Sequence, residues 1–365
     1  MIEARFGSST PFSLGAEEEL MILDADSLLL VPKVKELIAA APGAPLKTEL
    51  FASVVETTTG VCETAAEAAA QLLSARRAAA AAAESLGLRL AAAASHPISP
   101  PEDQAVVPEQ RYLDFVEYAG VSARFQGVSG LHVHVGVPDP ESCYRALEGV
   151  LPWLPLVLAL SANSPYFAGR ETGLASSRAA VLAQLPRAGG PPAFGSYTEW
   201  EAWVERLSAL GVFADHTRVW WDIRPAPQFG TLEIRMPDQP TSVELSGAFA
   251  ALLQALCKTV LDEDSSPVDP AGRGDYVHNR WAAMRFGPQA ELIHPAGGRF
   301  ALASELGAEL LERVEPAARE LGSWELVSRI DPTRCEAERQ LELGRARGLE
   351  AICADLAERS LASAA

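Results

Sequence analysis

Three short stretches of this chain alternate apolar with ionisable residues: residues 12–23 (FSLGAEEELMIL), 128–137 (VSGLHVHVGV) and 230–238 (GTLEIRMPD). Side chains along a strand point alternately to its two faces, so each stretch predicts a strand with one apolar and one ionisable side. In the third, Leu232, Ile234 and Met236 fall on one side, and Glu233 with Arg235 on the other. In the second, Leu131, Val133 and Val135 oppose His132 and His134. In the first, Phe12, Leu14, Ala16, Leu20 and Ile22 share a face, and Glu17 and Glu19 project from the other. Glu18 falls on the apolar face, which puts it at a sheet edge or in contact with solvent.

Each pair has two readings. Carboxylates sharing one face of an apolar strand repel each other unless a cation lies between them, or else they mark an exposed acidic edge. Two imidazoles at a spacing of two converge on a metal ion, or are hydrogen-bonded in a core. Glu233 beside Arg235 suits a metal ligand next to a fixed cation, or a plain salt bridge. A fourth run, residues 48–59 (TELFASVVETTT), reads as a strand carrying Glu49 and Glu56. Their separation is odd, so both reach one site only through a bulge or bend. Packed as one antiparallel sheet, these stretches would line an oxygen-rich cavity with one or two nitrogens. Such a donor set fits Mg²⁺ or Mn²⁺ rather than structural Zn²⁺.

The rest of the chain reads mainly as scaffold. Residues 64–86 form an alanine-rich helix opened by the capping box Thr64-Ala-Ala-Glu67 and closed by Gly87. A short apolar strand from Leu88 to Ser95 ends at His96, a hydrogen-bonded turn residue. Further helices are expected over 140–160, over 196–210 with Trp200 and Trp203 in the core, over 243–261, from His278 onward, and through most of 301–365. Thirty basic and 48 acidic residues give a net charge of −18, which excludes a basic nucleic-acid or anionic-membrane surface. A phosphorylated ligand would therefore need metal ions or local arginines. Five scattered cysteines without a CxxC exclude a disulfide framework and a zinc site. The longest apolar run, 150–160, is interrupted by Pro152 and Pro155, and the first residues carry no apolar signal core. The expectation is a cytoplasmic protein without a membrane span. There is no Walker loop, dinucleotide fingerprint, nucleophile elbow, internal repeat or dividing linker, so residues 1–365 are read as one domain.

Six motifs, taken in order, carry a resemblance: Gly15-Ala-Glu-Glu-Glu-Leu20, Ser129-Gly-Leu-His-Val-His-Val135, Leu160-Ser-Ala-Asn-Ser-Pro165, Thr172-Gly-Leu-Ala-Ser-Ser-Arg178, Thr231-Leu-Glu-Ile-Arg235 and Asn279-Arg-Trp-Ala-Ala-Met-Arg-Phe-Gly287. As a set they resemble the type 2 glutamate-cysteine ligase family, also described as ATP-dependent carboxylate-amine ligases. The resemblance implies an α+β, glutamine-synthetase-like catalytic fold, an antiparallel sheet forming a funnel flanked by helices. It implies ATP with Mg²⁺ or Mn²⁺, and transfer of the γ-phosphate to a substrate carboxylate. An amine then displaces phosphate to give an amide. By motif position, Glu17, Glu19, Glu49, Glu56, His132 and Glu233 would be metal ligands. Arg235 would lie over the transferring phosphoryl group or the substrate carboxylate, with Glu233 beside it as the second catalytic residue. Asn163, Arg178, Arg187, Asn279 and Arg285 would be candidates for nucleotide or substrate contacts. The implied substrates are glutamate or another amino-acid carboxylate, and cysteine or another amine. Nothing in the sequence stands against a homo-oligomer. The rival functions are a metal-dependent hydrolase built on the same carboxylates and a non-catalytic nucleotide-binding protein.

Overall fold

The alternating stretches assemble into a single antiparallel sheet in the computed structural model, which describes residues 4–263 and 272–361. Its seven strands are β1 (Leu14–Asp24), β2 (Leu46–Thr48), β3 (Val54–Thr58), β4 (Leu88–Ala91), β5 (Leu131–Gly136), β6 (Ile223–Ala226) and β7 (Thr231–Ile234). They lie in the order β6-β7-β5-β1-β3-β2, with β4 also paired to β1. The long strand β1 is the axis: it pairs with β5 over Leu14–Glu18, with β3 over Glu17–Met21 and with β4 over Met21–Asp24.

Burial of alternate residues fixes this register. Leu14, Leu20, Ile22, Leu131, Val133, Val135, Leu232 and Ile234 are all buried. They pack in two apolar clusters with residues of the helices Ala65–Ser85, Pro140–Val150 and Val243–Asp262. Each such side chain contributes about 1.5–3 kcal/mol on burial. A slip of one residue would turn a whole row of them toward the opposite, ionisable face.

Glu18 departs from the expectation. It is neither at an edge nor solvated but 0% exposed. Arg76, on the 65–85 helix and 1% exposed, grips it through Nε to Oε2 at 2.8 Å and Nη2 to Oε1 at 2.6 Å. A charge buried on the core face persists because it brings its own counter-charge.

The 48–59 run is also not one bulged strand. It is a hairpin, with Lys47 opposite Glu56 and Thr48 opposite Val55. Leu50 and Phe51 are buried at the reversal, and this inward packing turns the chain. Glu49 therefore reaches the site from the turn.

The other elements follow the sequence closely. Thr64 caps the 65–85 helix by accepting the Glu67 N–H at 3.1 Å, and Gly87 follows it at φ +69°. The Glu67 carboxylate reaches back to the Glu63 N–H, one residue beyond the expected box. His96 is a buried turn residue, its Nδ1 accepting the Ile98 and Ser99 N–H groups. Trp200 is buried and Trp203 stacks on Trp221. The helix expected from His278 starts earlier, at Gly272, and runs to Phe286. Helices Ala303–Glu320, Trp324–Val327, Glu336–Arg347 and Leu349–Arg359 fill the C-terminal part; residues 362–365 of that expectation lie outside the described residues. The five cysteines are buried and free. The apolar helices at 140–161 and 243–262 lie largely inside the fold.

Candidate active site

The ionisable face is laid out by register in three rows. One row runs Gly15 (β1), His134 (β5), Glu233 (β7), Arg224 (β6). The next runs Thr58 (β3), Glu17 (β1), His132 (β5). The third runs Lys47 (β2), Glu56 (β3), Glu19 (β1). Residues opposite each other across an antiparallel pair share a face, so the groups that were separate in sequence project to one side.

Within the rows, His132 Nδ1 lies 3.5 Å from Glu17 Oε2, and His134 Nδ1 pairs with Thr231 Oγ1 at 2.9 Å. The Gly130 N–H donates to Glu19 Oε2 at 2.7 Å. Gly130 must lack a side chain, because a Cβ there would lie 2.1 Å from Arg178 Nη2. Arg178 in turn donates to the carbonyls of Arg235 and Met236 at 2.8 and 3.1 Å. Both oxygens of Glu233 are held by guanidinium groups: Arg224 Nε and Nη2 at 2.6 and 3.2 Å, and Arg235 Nη1 at 2.5 Å.

Electrostatics divide these carboxylates. Burial pushes Glu19 up to about 7 despite Arg178 nearby. Burial and the Glu19 charge push Glu49 to about 7, and burial with the charges of Glu17 and Glu49 pushes Glu56 to about 8. Burial acts the same way on Glu17, but the His132 hydrogen bond and the imidazole charges outweigh it and bring Glu17 down to about 2. Burial and Arg235 lower His132 to about 4, so its ring is neutral at pH 7. Burial opposes ionisation of Glu233, but Arg224 and Arg235 hold it well below the usual carboxylate range.

Glu19, Glu49 and Glu56 thus crowd together in half-buried space, beside a neutral imidazole. That is the chemistry of a site for a hard divalent ion, whose charge would let all three ionise. Among the described residues, no three such donors stand close enough to form a ready cage. Glu233 is engaged by its two arginines and would have to release one to bind a metal.

A cavity of about 440 Å³ opens over this face. Glu19 and His132 line it from the sheet and Glu49 from the turn, and Arg111, Arg178, Arg218, Arg224 and Arg235 add five guanidinium groups, with Tyr112, Phe115 and Trp220 among its apolar lining. In a chain of charge −18, this concentration of arginine marks a place for an anion.

The structure therefore brings Glu17, Glu19, Glu49, Glu56, His132, Glu233, Arg235 and Arg178 to one region. It does not bring the remaining candidates to the cavity lining. Asn163 is fully buried and spends its amide on Gln239 O, Thr241 Oγ1 and Gln340 Nε2. Asn279 exchanges two hydrogen bonds with the Ile293 backbone. Arg187 stacks over Phe213, and Arg285 binds the Gly173 carbonyl. Apart from Arg178, the motifs at 160–165 and 172–178 have a structural role: Ser164 and Ser176 hydroxyls and the Asn163 N–H converge on buried Asp238. Sequence reasoning passed over Arg224. A signal for it existed, since a hairpin turned at Gly230 sets Arg224 opposite Glu233. Arg111, Tyr112 and Phe115 come from the Gln110–Ala119 helix, and no local pattern places that helix over the sheet.

Comparison with known proteins gives a consistent set of relatives. The family model described as glutamate-cysteine ligase family 2 matches residues 13–345. A Rubrobacter xylanophilus protein provisionally named glutamate-cysteine ligase 2-3 is 40% identical, over 98% of this chain and 99% of its own. A second protein from that organism, provisionally named glutamate-cysteine ligase 2-1, is 38% identical over 89% of this chain and 87% of its own. The fold is similar to that of a glutamate-cysteine ligase from Francisella tularensis crystallised in complex with AMP. That match has a TM-score of 0.73 at 16% identity, over 97% of this chain and 89% of that one. A bifunctional glutathione synthetase from Pasteurella multocida gives a TM-score of 0.69 at 15% identity, over 96% of this chain and 52% of its own. These likenesses bear out the fold class that the motifs implied.

Proposed function

The chain belongs to the glutamate-cysteine ligase family 2, and from that premise we propose that it is an ATP-dependent carboxylate-amine ligase making a γ-glutamyl amide through an acyl phosphate. The observation that carries this reading is the strand register, which sets Glu17, Glu19, Glu56 and His132 on one face beside Arg224, Glu233 and Arg235. Glu17, Glu19, Glu49, Glu56 and the neutral ring of His132 would hold Mg²⁺ or Mn²⁺. A divalent ion held there would neutralise the triphosphate oxygens.

The chain's own residues supply positioning. Arg235, fixed by Glu233 at 2.5 Å, would stabilise the equatorial oxygens of the transferring phosphoryl group. Arg111, Arg178 and Arg218 would orient the anionic ends of the substrates. The aromatic lining would keep water from the activated acyl group. In the first step a carboxylate oxygen of the acid attacks the γ-phosphorus, and the bond to the leaving ADP oxygen breaks. In the second the amine nitrogen attacks the acyl carbon and gives up a proton to solvent, and phosphate leaves with the electron pair of the broken C–O bond.

The test is ADP release by the purified protein with ATP, Mg²⁺ and glutamate across a panel of amines including cysteine. Amine-dependent ADP, together with a product whose mass is that of the condensed pair, supports the ligase. Metal-dependent hydrolysis without nucleotide would replace it with the hydrolase reading.

A further inference from the structure

We infer that Arg76 is a positioning residue for the active site, acting through Glu18 to fix β1 and with it the placement of Glu17 and Glu19 on the opposite face. The inference rests on the proposed role of those two carboxylates as metal ligands. Glu18 lies between them in sequence and points the other way, so whatever holds its side chain holds the backbone from which both ligands project.

The hold is extensive. Arg76 meets Glu18 with two nitrogens, and its Nη1 also donates to Thr241 O at 2.6 Å and Ser360 O at 3.1 Å. Its Nη2 also reaches Pro240 O at 3.1 Å and Ser246 Oγ at 3.3 Å. Glu18 Oε1 receives the Ser246 hydroxyl at 2.5 Å. Gln239 closes the frame: its Nε2 donates to Glu18 Oε1 at 3.1 Å, and its Oε1 accepts the Glu19 N–H at 3.1 Å. One guanidinium thus ties the axial strand, the 239–242 segment, the helix that carries Ser246 and the last helix's end at Ser360 to a single point beneath the site.

An apolar residue at position 18 would serve the core at lower desolvation cost, and buried ion pairs are often replaceable by apolar side chains without loss of stability. What apolar packing does not supply is directional anchoring. Metal ligands need it, since their geometry tolerates displacements of only about 0.5 Å.

The experiment compares the wild type with the double variant Glu18→Leu/Arg76→Met, measuring Mn²⁺ binding by electron paramagnetic resonance and thermal unfolding without metal. The expected result is a melting temperature close to that of the wild type, with Mn²⁺ bound at least about tenfold more weakly, as for other residues that orient metal ligands. A folded double variant that binds Mn²⁺ as the wild type does overturns the inference. If the double variant does not fold, Ser246→Ala carries the test, since it removes one donor from Glu18 and adds no bulk. A weakening of about threefold is expected there, and unchanged affinity overturns the inference. Failure of the wild type itself to bind Mn²⁺ would instead remove the ligand assignment, and the positioning role with it.

Discussion

Glu18 and Glu19 are adjacent copies of one residue on one strand, and they meet opposite fates. Glu18 is fully buried, yet it is saturated by Arg76, Ser246 and Gln239. Glu19 faces the cavity with Glu56 across from it in register, and burial pushes it up to about 7. The difference is direct pairing on each face. The core face brings one guanidinium for one carboxylate. The cavity face gathers Glu19, Glu49 and Glu56; among the described residues Lys47 pairs with Glu56 at 3.4 Å, while Arg178, Arg235 and Arg111 act on Glu19 and Glu49 without an ion-pair contact. A carboxylate bound directly to its counter-charge is architecture, and one crowded against other carboxylates without a direct partner is a place for a ligand.

The contrast can be broken by exchanging the amide for the acid on each face. Glu19→Gln should lower ADP-forming turnover by roughly a thousandfold while leaving the melting temperature unchanged or raised at pH 8. Turnover within threefold of wild type would remove Glu19 from the site. Glu18→Gln should do the reverse in kind, costing about 3–5 kcal/mol of unfolding free energy because Arg76 is left without its counter-charge. Denaturant unfolding within about 1 kcal/mol of wild type would show that the pair is dispensable. Arg235→Lys keeps the charge but loses the fork, and a fall in kcat of about tenfold is expected. An unchanged kcat would remove Arg235 from the phosphoryl step.

The smallest effect is in stability against pH. Glu56 rises from the ordinary 4.5 to about 8, so between those values the folded state holds a proton that the unfolded state has lost. Stability of the metal-free protein should therefore fall as pH rises through this window. Above pH 6.5, where the lowered His96 and His132 no longer add an opposite slope, the melting temperature should drop by a few degrees up to pH 8, added Mg²⁺ should remove much of that drop, and Glu56→Gln should reduce it. A melting temperature that rises with pH across that range would contradict the crowding of these carboxylates.

Period-two alternation was enough to find β1, β5 and β7 and the faces of Glu17, Glu19, His132, His134 and Glu233, because half-burial writes the sheet's two sides directly into the sequence. It failed for Glu18, whose partner lies 58 residues away. A partial signal for that partner was present: Arg76 falls on the buried stripe of its helix with Leu72, Ala75, Ala79 and Ala83, where an unpaired arginine would be prohibitively costly. For Glu49 it gave the requirement of a bulge or bend, which the hairpin meets, without telling the two apart. Asn163 and Asn279 look like ligand contacts in isolation, since an amide carries no mark of whether its partners are backbone groups or a substrate. The arginines around the cavity come from segments whose docking is set by tertiary packing rather than by any local period.

The most direct test of the ligase assignment follows oxygen. The carboxylate substrate identified by the amine panel is labelled with ¹⁸O in the reacting carboxyl group, and the phosphate released during turnover is analysed by mass spectrometry. Formation of an acyl phosphate requires one carboxyl oxygen to leave with the phosphate, so singly ¹⁸O-labelled phosphate is the expected result. Phosphate carrying no label would contradict carboxylate activation by ATP at this site.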